Sequence, residues 1–115
     1  MSTLIDKIPM DVAAAHGVKF DDNKTRYDLL PPEALEGAAQ VFAVGAKKYG
    51  PRNWEKGMNW GRVFAACMRH LWAWWRGESV DPETGISHLH HAACNIMMLQ
   101  AYEARKMGRF DDRPK

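Results

Sequence analysis

Residues 60–76, WGRVFAACMRHLWAWWR, and residues 87–106, SHLHHAACNIMMLQAYEARK, decide the fold. In the first segment Val63, Cys67, His70 and Trp74 recur at helical spacing and form one inward stripe. The second segment starts at Ser87, whose hydroxyl suits the orphan N–H groups of a helix start. It is apolar on nearly every side between Leu89 and Leu99, which marks it as the central helix. Gly77 stops the first helix and Gly108 the second. The stretch between them, GESVDPETG, carries Pro82 and Gly85 and reads as a turn region.

Working outward, Pro32 opens an earlier helix, because its missing N–H has no partner in a first turn anyway. Glu33 and Glu36 follow, where the helix dipole favours negative charge. Leu35, Ala38, Ala39, Phe42 and Ala46 form its apolar stripe, and Lys47, Lys48 and the pair Gly50-Pro51 close it. Residues 50–59, GPRNWEKGMN, read as loop. Residues 1–31 read as an irregular arm with a short helical turn at 12–16, and the tail RFDDRPK reads as frayed. No stretch alternates at period two, and valine and isoleucine are scarce. The expected fold is all-α: a compact bundle of three main helices with an N-terminal arm. The chain reads as one domain, with the arm at 1–31, the helical core at 32–106 and the tail at 107–115. So broad an apolar surface predicts pairing with a second copy, as a homodimer or higher homo-oligomer.

Composition narrows the function classes. The chain has 115 residues, 16 Lys+Arg, 14 Asp+Glu and a formal charge of +2. A chain of this size buries roughly 65% of its unfolded surface, enough for a core without staples. The charge balance argues against stable nucleic-acid binding. No run approaches a membrane span, and MSTLIDKIPMDVAAA lacks the cationic and apolar blocks of a signal peptide, so a cytoplasmic protein is expected. Cys67 and Cys94 sit in apolar helical patterns and read as reduced core thiols. No P-loop, G-x-G-x-x-G, Cys-rich zinc pattern, H-E-x-x-H or G-x-S-x-G is present.

Four constellations can carry chemistry. His88, His91 and Asn95 share one helix face; buried structural histidines would give the same pattern. His70, beside Arg69 on the preceding helix, lies on the stripe that can face this row, or it caps a tryptophan cluster while Arg69 meets solvent. Glu33 and Glu36 at i, i+3 can converge on one cation, or simply complement the helix dipole. Glu78-x-x-Asp81 has similar acidic spacing, although Asp81-Pro82 is also a plain turn. Lys19, Lys24, Arg26, Lys47, Lys48 and Arg52, with Tyr49 and Trp54, are cations and aromatics suited to phosphate and base, or a solvated surface.

The runs GVKFDDNKTRYDLLPPEAL, GAKKYGPRNWEKG and AACMRHLWAWWRGESVDPETGISHLHHAACN resemble the phage and bacterial dATP/dGTP diphosphohydrolases, small relatives of the MazG-like all-α nucleoside triphosphate pyrophosphohydrolases. The resemblance spans residues 17–103. It implies an oligomeric helical bundle with magnesium or manganese at its centre. It also implies hydrolysis of a nucleoside triphosphate between the α- and β-phosphates, with purine deoxynucleotides as substrate class. The MazG-type pattern of an E-x-x-E helix and an E-x-x-D helix is altered here, with His88-x-x-His91 on the third helix. Joined to the residue reading, this gives Glu33, Glu36, Glu78 and Asp81 as candidate metal ligands. His70, His91 or a carboxylate such as Glu36 would orient and deprotonate water. Lys19, Lys24, Lys48 and Arg69 become candidates for the triphosphate, Trp54 or Tyr49 for stacking, and Asn53 or Asn95 for the base edge. The competing readings are a non-catalytic nucleotide-binding or partner-binding module and, less well matched to the charge, a single-strand nucleic-acid binder.

Overall fold

Backbone chemistry at the helix ends sets the architecture. In a computed structural model, which describes residues 16–115, the chain divides into two compact units, Met1–Leu30 and Pro31–Lys115. The turn expected at 12–16 lies outside the described residues, apart from His16. In the first unit Lys24 N–H donates to the Asp21 carbonyl, and Arg26 makes a two-pronged pair with Asp28 ahead of a 3-10 turn over Tyr27–Leu29.

The second unit holds three α-helices: α1 (Pro32–Tyr49), α2 (Trp60–Trp75) and α3 (His88–Ala104). No strand occurs among the described residues, so the all-α reading holds. Extended Pro31 accepts from Ala34 and Leu35 N–H and launches α1. Within the expected 50–59 loop, Asn53–Lys56 forms one 3-10 turn. α2 ends in a Schellman motif: Gly77 N–H donates to Trp74 O and Glu78 N–H to Ala73 O. The motif needs a left-handed residue after the last turn, and Gly77 has φ 102°. Ser87 Oγ accepts Leu89 N–H at 3.2 Å and caps α3. No helix among the described residues is long and apolar enough to cross a membrane.

α2 and α3 pack antiparallel. The start of α2 meets the end of α3, where Trp60, Val63 and Tyr102 are buried against Met98, Leu99, Met107 and Phe110. The middle is joined by Cys67, whose thiol approaches Ala92 O, and the far end brings His70 against His88 and His91. α1 packs on α3, with Gly37 beneath the His90 ring.

Two expectations change. The tail is docked, not frayed: Asp112 Oδ1 accepts Gly61 N–H at 2.7 Å, and Phe110 packs into the core. One aromatic anchor and one capping carboxylate suffice to hold it. The inward stripes are also narrower than their apolar content suggests. Leu35, Trp74, Leu89, Ile96 and Met97 are exposed, because three helices cannot enclose one another on every side.

Candidate active site

The C-terminal end of α2, the 77–87 connection and the first turn of α3 converge on one polar cluster. The connection is closed by an antiparallel bridge between Val80 and Ser87, with Asp81 N–H donating to Ile86 O and His88 N–H to Ser79 O. Asp81 is pinned inside it. Its Oδ1 accepts Glu83 N–H at 2.8 Å, and its carbonyl accepts Gly85 N–H at 2.7 Å. Gly85 has φ 73°, a left-handed turn position.

Three histidines meet this loop. His88 is only 5% exposed and His91 8%. The His88 and His70 Nδ1 atoms are 2.9 Å apart, and His88 Nε2 lies 2.7 Å from Glu78 Oε1. His70 stacks on His91 at 4.4 Å with rings 9° from parallel. His91 Nε2 is 2.7 Å from Thr84 Oγ1 and 3.6 Å from Asp81 Oδ2. Burial holds both His70 and His91 below the ordinary imidazole range, although the Asp81 carboxylate opposes the shift. One ligating atom from each of His70, Asp81 and His88 lies within 4.8 Å of the others, so these residues have the chemistry and the spacing to hold a divalent cation.

His70, Asp81, Thr84 and His91 line a cleft of ≈ 1320 Å³. Arg62 and Arg69 also line it, two turns apart on α2. Neither has an ion-pair partner among the described residues. Tyr49, Lys48, Asn53, Trp54 and Asn95 complete the lining relevant to the sequence reading. Trp54 is already packed by Phe42 and Tyr102, and the Arg105 guanidinium stands 5.5 Å from its ring. Tyr49 is the more exposed aromatic, 63% exposed, with the Lys48 ammonium 5.3 Å from its ring. Cys94 also borders the cleft, but burial pushes its thiol up to about 12, which removes it as a nucleophile at neutral pH.

The structure thus gathers His70, Asp81 and His91, with Glu78 behind His88. It sets Lys48, Asn53, Trp54, Arg69 and Asn95 around the same cleft. Glu33 and Glu36 are exposed at the start of α1 and belong neither to the cluster nor to the cleft lining. Lys19 and Lys24 line a shallow hollow of the N-terminal unit with Asp21, Thr25, Arg26 and Asp28. Sequence reasoning missed Arg62, although its seven-residue spacing from Arg69 is a usable signal. It also missed Thr84, which has no periodic signal at all.

Fold and site together define a class: a small all-α protein with a buried imidazole–carboxylate cluster at the wall of a cationic cleft. The family model described as "dATP/dGTP diphosphohydrolase, N-terminal" matches residues 14–113, and the chain belongs to that family. A dATP/dGTP diphosphohydrolase of Salmonella phage PMBT28 is 37% identical over 83 residues, covering 72% of this chain. The chain spans 28% of the length of that curated relative. No solved structure matches.

Proposed function

We propose that this cleft hydrolyses a nucleoside triphosphate between the α- and β-phosphates, releasing a nucleoside monophosphate and pyrophosphate. The observation that carries the reading is the juxtaposition of Arg62 and Arg69, neither ion-paired among the described residues, with the His70–Asp81–His91 wall in one cleft. Family membership supports the same reaction and purine deoxynucleotides, dATP and dGTP, as substrates. The setting is the nucleotide pool of an infected host cell, in its cytoplasm.

Arg69 and Arg62 bind the polyphosphate oxygens, and Lys48 adds charge at the rim. Tyr49 stacks on the base, while Asn53 and Asn95 face its edge. His91 orients the attacking water and takes its proton at Nδ1. The Asp81 carboxylate and the Thr84 hydroxyl hold the opposite nitrogen, Nε2, and stabilise the imidazolium so formed. A divalent cation at the imidazole–carboxylate cluster, when bound, offsets the charge that builds on phosphate oxygens.

The test is a turnover panel. The 115-residue protein is mixed with each common dNTP and NTP, with divalent cation or chelator, and products are separated by ion exchange. Cation-dependent release of dGMP or dAMP with pyrophosphate is the expected result. Stepwise release of orthophosphate would reject this bond. A second reading is favoured by one fact, the 28% share of the relative that the chain spans: here the chain is a nucleotide-binding or partner-binding module. Saturable dGTP binding without turnover of any nucleotide would select it. Self-association is proposed through α2, where Phe64, Met68, Trp72 and Trp75 form one exposed apolar stripe. Light scattering reads it directly, with Trp72→Glu expected to give a monomer.

A further inference from the structure

We infer that His70 and His88, through their Nδ1 atoms, and the Asp81 carboxylate form a site for one borderline transition cation (Mn²⁺, Co²⁺ or Zn²⁺) in preference to magnesium, with Glu78 as its positioning residue.

The argument starts at the two Nδ1 atoms. They are 2.9 Å apart, and at least one must carry a lone pair directed at the other. Either a single proton lies between them or both lone pairs point at a shared cation. Two ligands each ~2.1 Å from one ion, at right angles, stand ~3 Å apart, so the spacing matches a shared ion. Glu78 bears on the choice. Its Oε1 accepts the Nε2–H of His88 at 2.7 Å, which fixes the tautomer and leaves the His88 Nδ1 lone pair facing His70. A carboxylate behind a histidine in this manner is the usual support of a metal-bound imidazole. Glu78 itself is half exposed, so its contact with buried His88 orients the ring at little desolvation cost.

Asp81 adds the third donor. The Glu83 N–H holds its Oδ1 and the Gly85 N–H its backbone carbonyl, so little side-chain freedom is lost when an ion binds. The donor set is therefore two nitrogens and one oxygen. Magnesium favours all-oxygen octahedral shells, whereas imidazole nitrogen suits the later first-row ions. Thr84 and His91 border the cluster without competing for those Nδ1 positions, because His91 is engaged through Nε2.

This inference rests on reading the cleft as a place for cation-assisted chemistry, but binding without nucleotide tests it separately. Chelator-stripped protein is titrated with Co²⁺, Zn²⁺, Mn²⁺ and Mg²⁺ by calorimetry, and the Co²⁺ complex is examined by visible absorption. The expected result is one equivalent of Co²⁺ or Zn²⁺ bound more tightly than Mg²⁺, with a Co²⁺ spectrum altered from that of the aqueous ion. Glu78→Gln should keep the stoichiometry and the spectrum while weakening affinity ~10–100-fold. His70→Gln should abolish the spectrum. Should His70→Gln fail to fold by circular dichroism, the exposed Glu78→Gln change carries the test. Equal affinity for Mg²⁺ and Co²⁺, an unshifted Co²⁺ spectrum, or Co²⁺ affinity unchanged in Glu78→Gln would overturn the site. Turnover supported by Mg²⁺ in a folded His70→Gln protein would sink this site and spare the hydrolysis reading. A one-equivalent Co²⁺ site without turnover would do the reverse.

Discussion

The two ends of the α2–α3 pair are built from opposite materials. At one end Trp60, Val63 and Tyr102 bury apolar surface, and the lone hydroxyl is satisfied by Trp54 O at 2.6 Å. At the other, His70, His88, His91, Asp81 and Thr84 fill the same interhelical space with groups that must find one another. Apolar packing stabilises by burial alone. A buried polar cluster contributes far less, and replacing it with apolar groups of like shape is often near neutral. The difference teaches a division of labour: one end holds the helices together, and the other is kept polar for chemistry.

The largest expected break is at the apolar end. Tyr102 is fully buried, so Tyr102→Ala should lower stability by about 3–5 kcal/mol in urea titration. Tyr102→Phe should lose only about 1 kcal/mol, the value of its hydrogen bond. A Tyr102→Ala protein with the parent midpoint would remove this end as the source of stability. At the polar end, Arg69→Ala should leave the urea midpoint in place but cost about 1.5–3 kcal/mol in kcat/KM for dGTP, the worth of a charged hydrogen bond. An unchanged kcat/KM would take Arg69 out of the phosphate site.

Gly57 sharpens the comparison at smaller scale. It has φ 97°, and a Cβ there would strike the Phe110 ring. Gly57→Ala should destabilise by about 1–3 kcal/mol and loosen the docked tail, read as faster amide exchange at Gly61. The smallest effect concerns pH. The Arg113 guanidinium holds the Asp111 carboxyl down at about 2. A depressed carboxyl adds stability that is present above its unfolded value of about 3.9 and is lost as pH falls toward 2. The pair is exposed, so its contribution is slight and screened by salt. Asp111→Asn should therefore differ from the parent in thermal melts at neutral pH and low salt, and converge with it near pH 2. A difference that grows in acid would reverse the sign.

Much of this arrangement was legible beforehand. Pro32, Gly50, Gly77 and Ser87 mark helix ends by local chemistry, and the bounds they imply agree with the structure to within two residues. The facing of His70 and His91 followed from helical spacing. Other parts were not legible, for a physical reason. Thr84 sits in a connection whose shape depends on the Val80–Ser87 bridge and the left-handed Gly85, and such closure leaves no period in the sequence. Asp112 reaches Gly61 across 51 positions, a contact that no local pattern announces. Glu33 and Glu36 show the converse: their spacing suits a cation, yet the first turn of a helix explains acids equally well.

The central claim is that chemistry belongs to the polar end and stability to the apolar end. His91→Leu tests it most directly, with dGTP turnover and urea unfolding measured on the same preparation. The account predicts a turnover loss of about 10²–10⁴-fold, the worth of a proton-transferring side chain, with stability within about 1 kcal/mol of the parent. A folded His91→Leu protein that retains full turnover, or one that loses stability and turnover together, would contradict it.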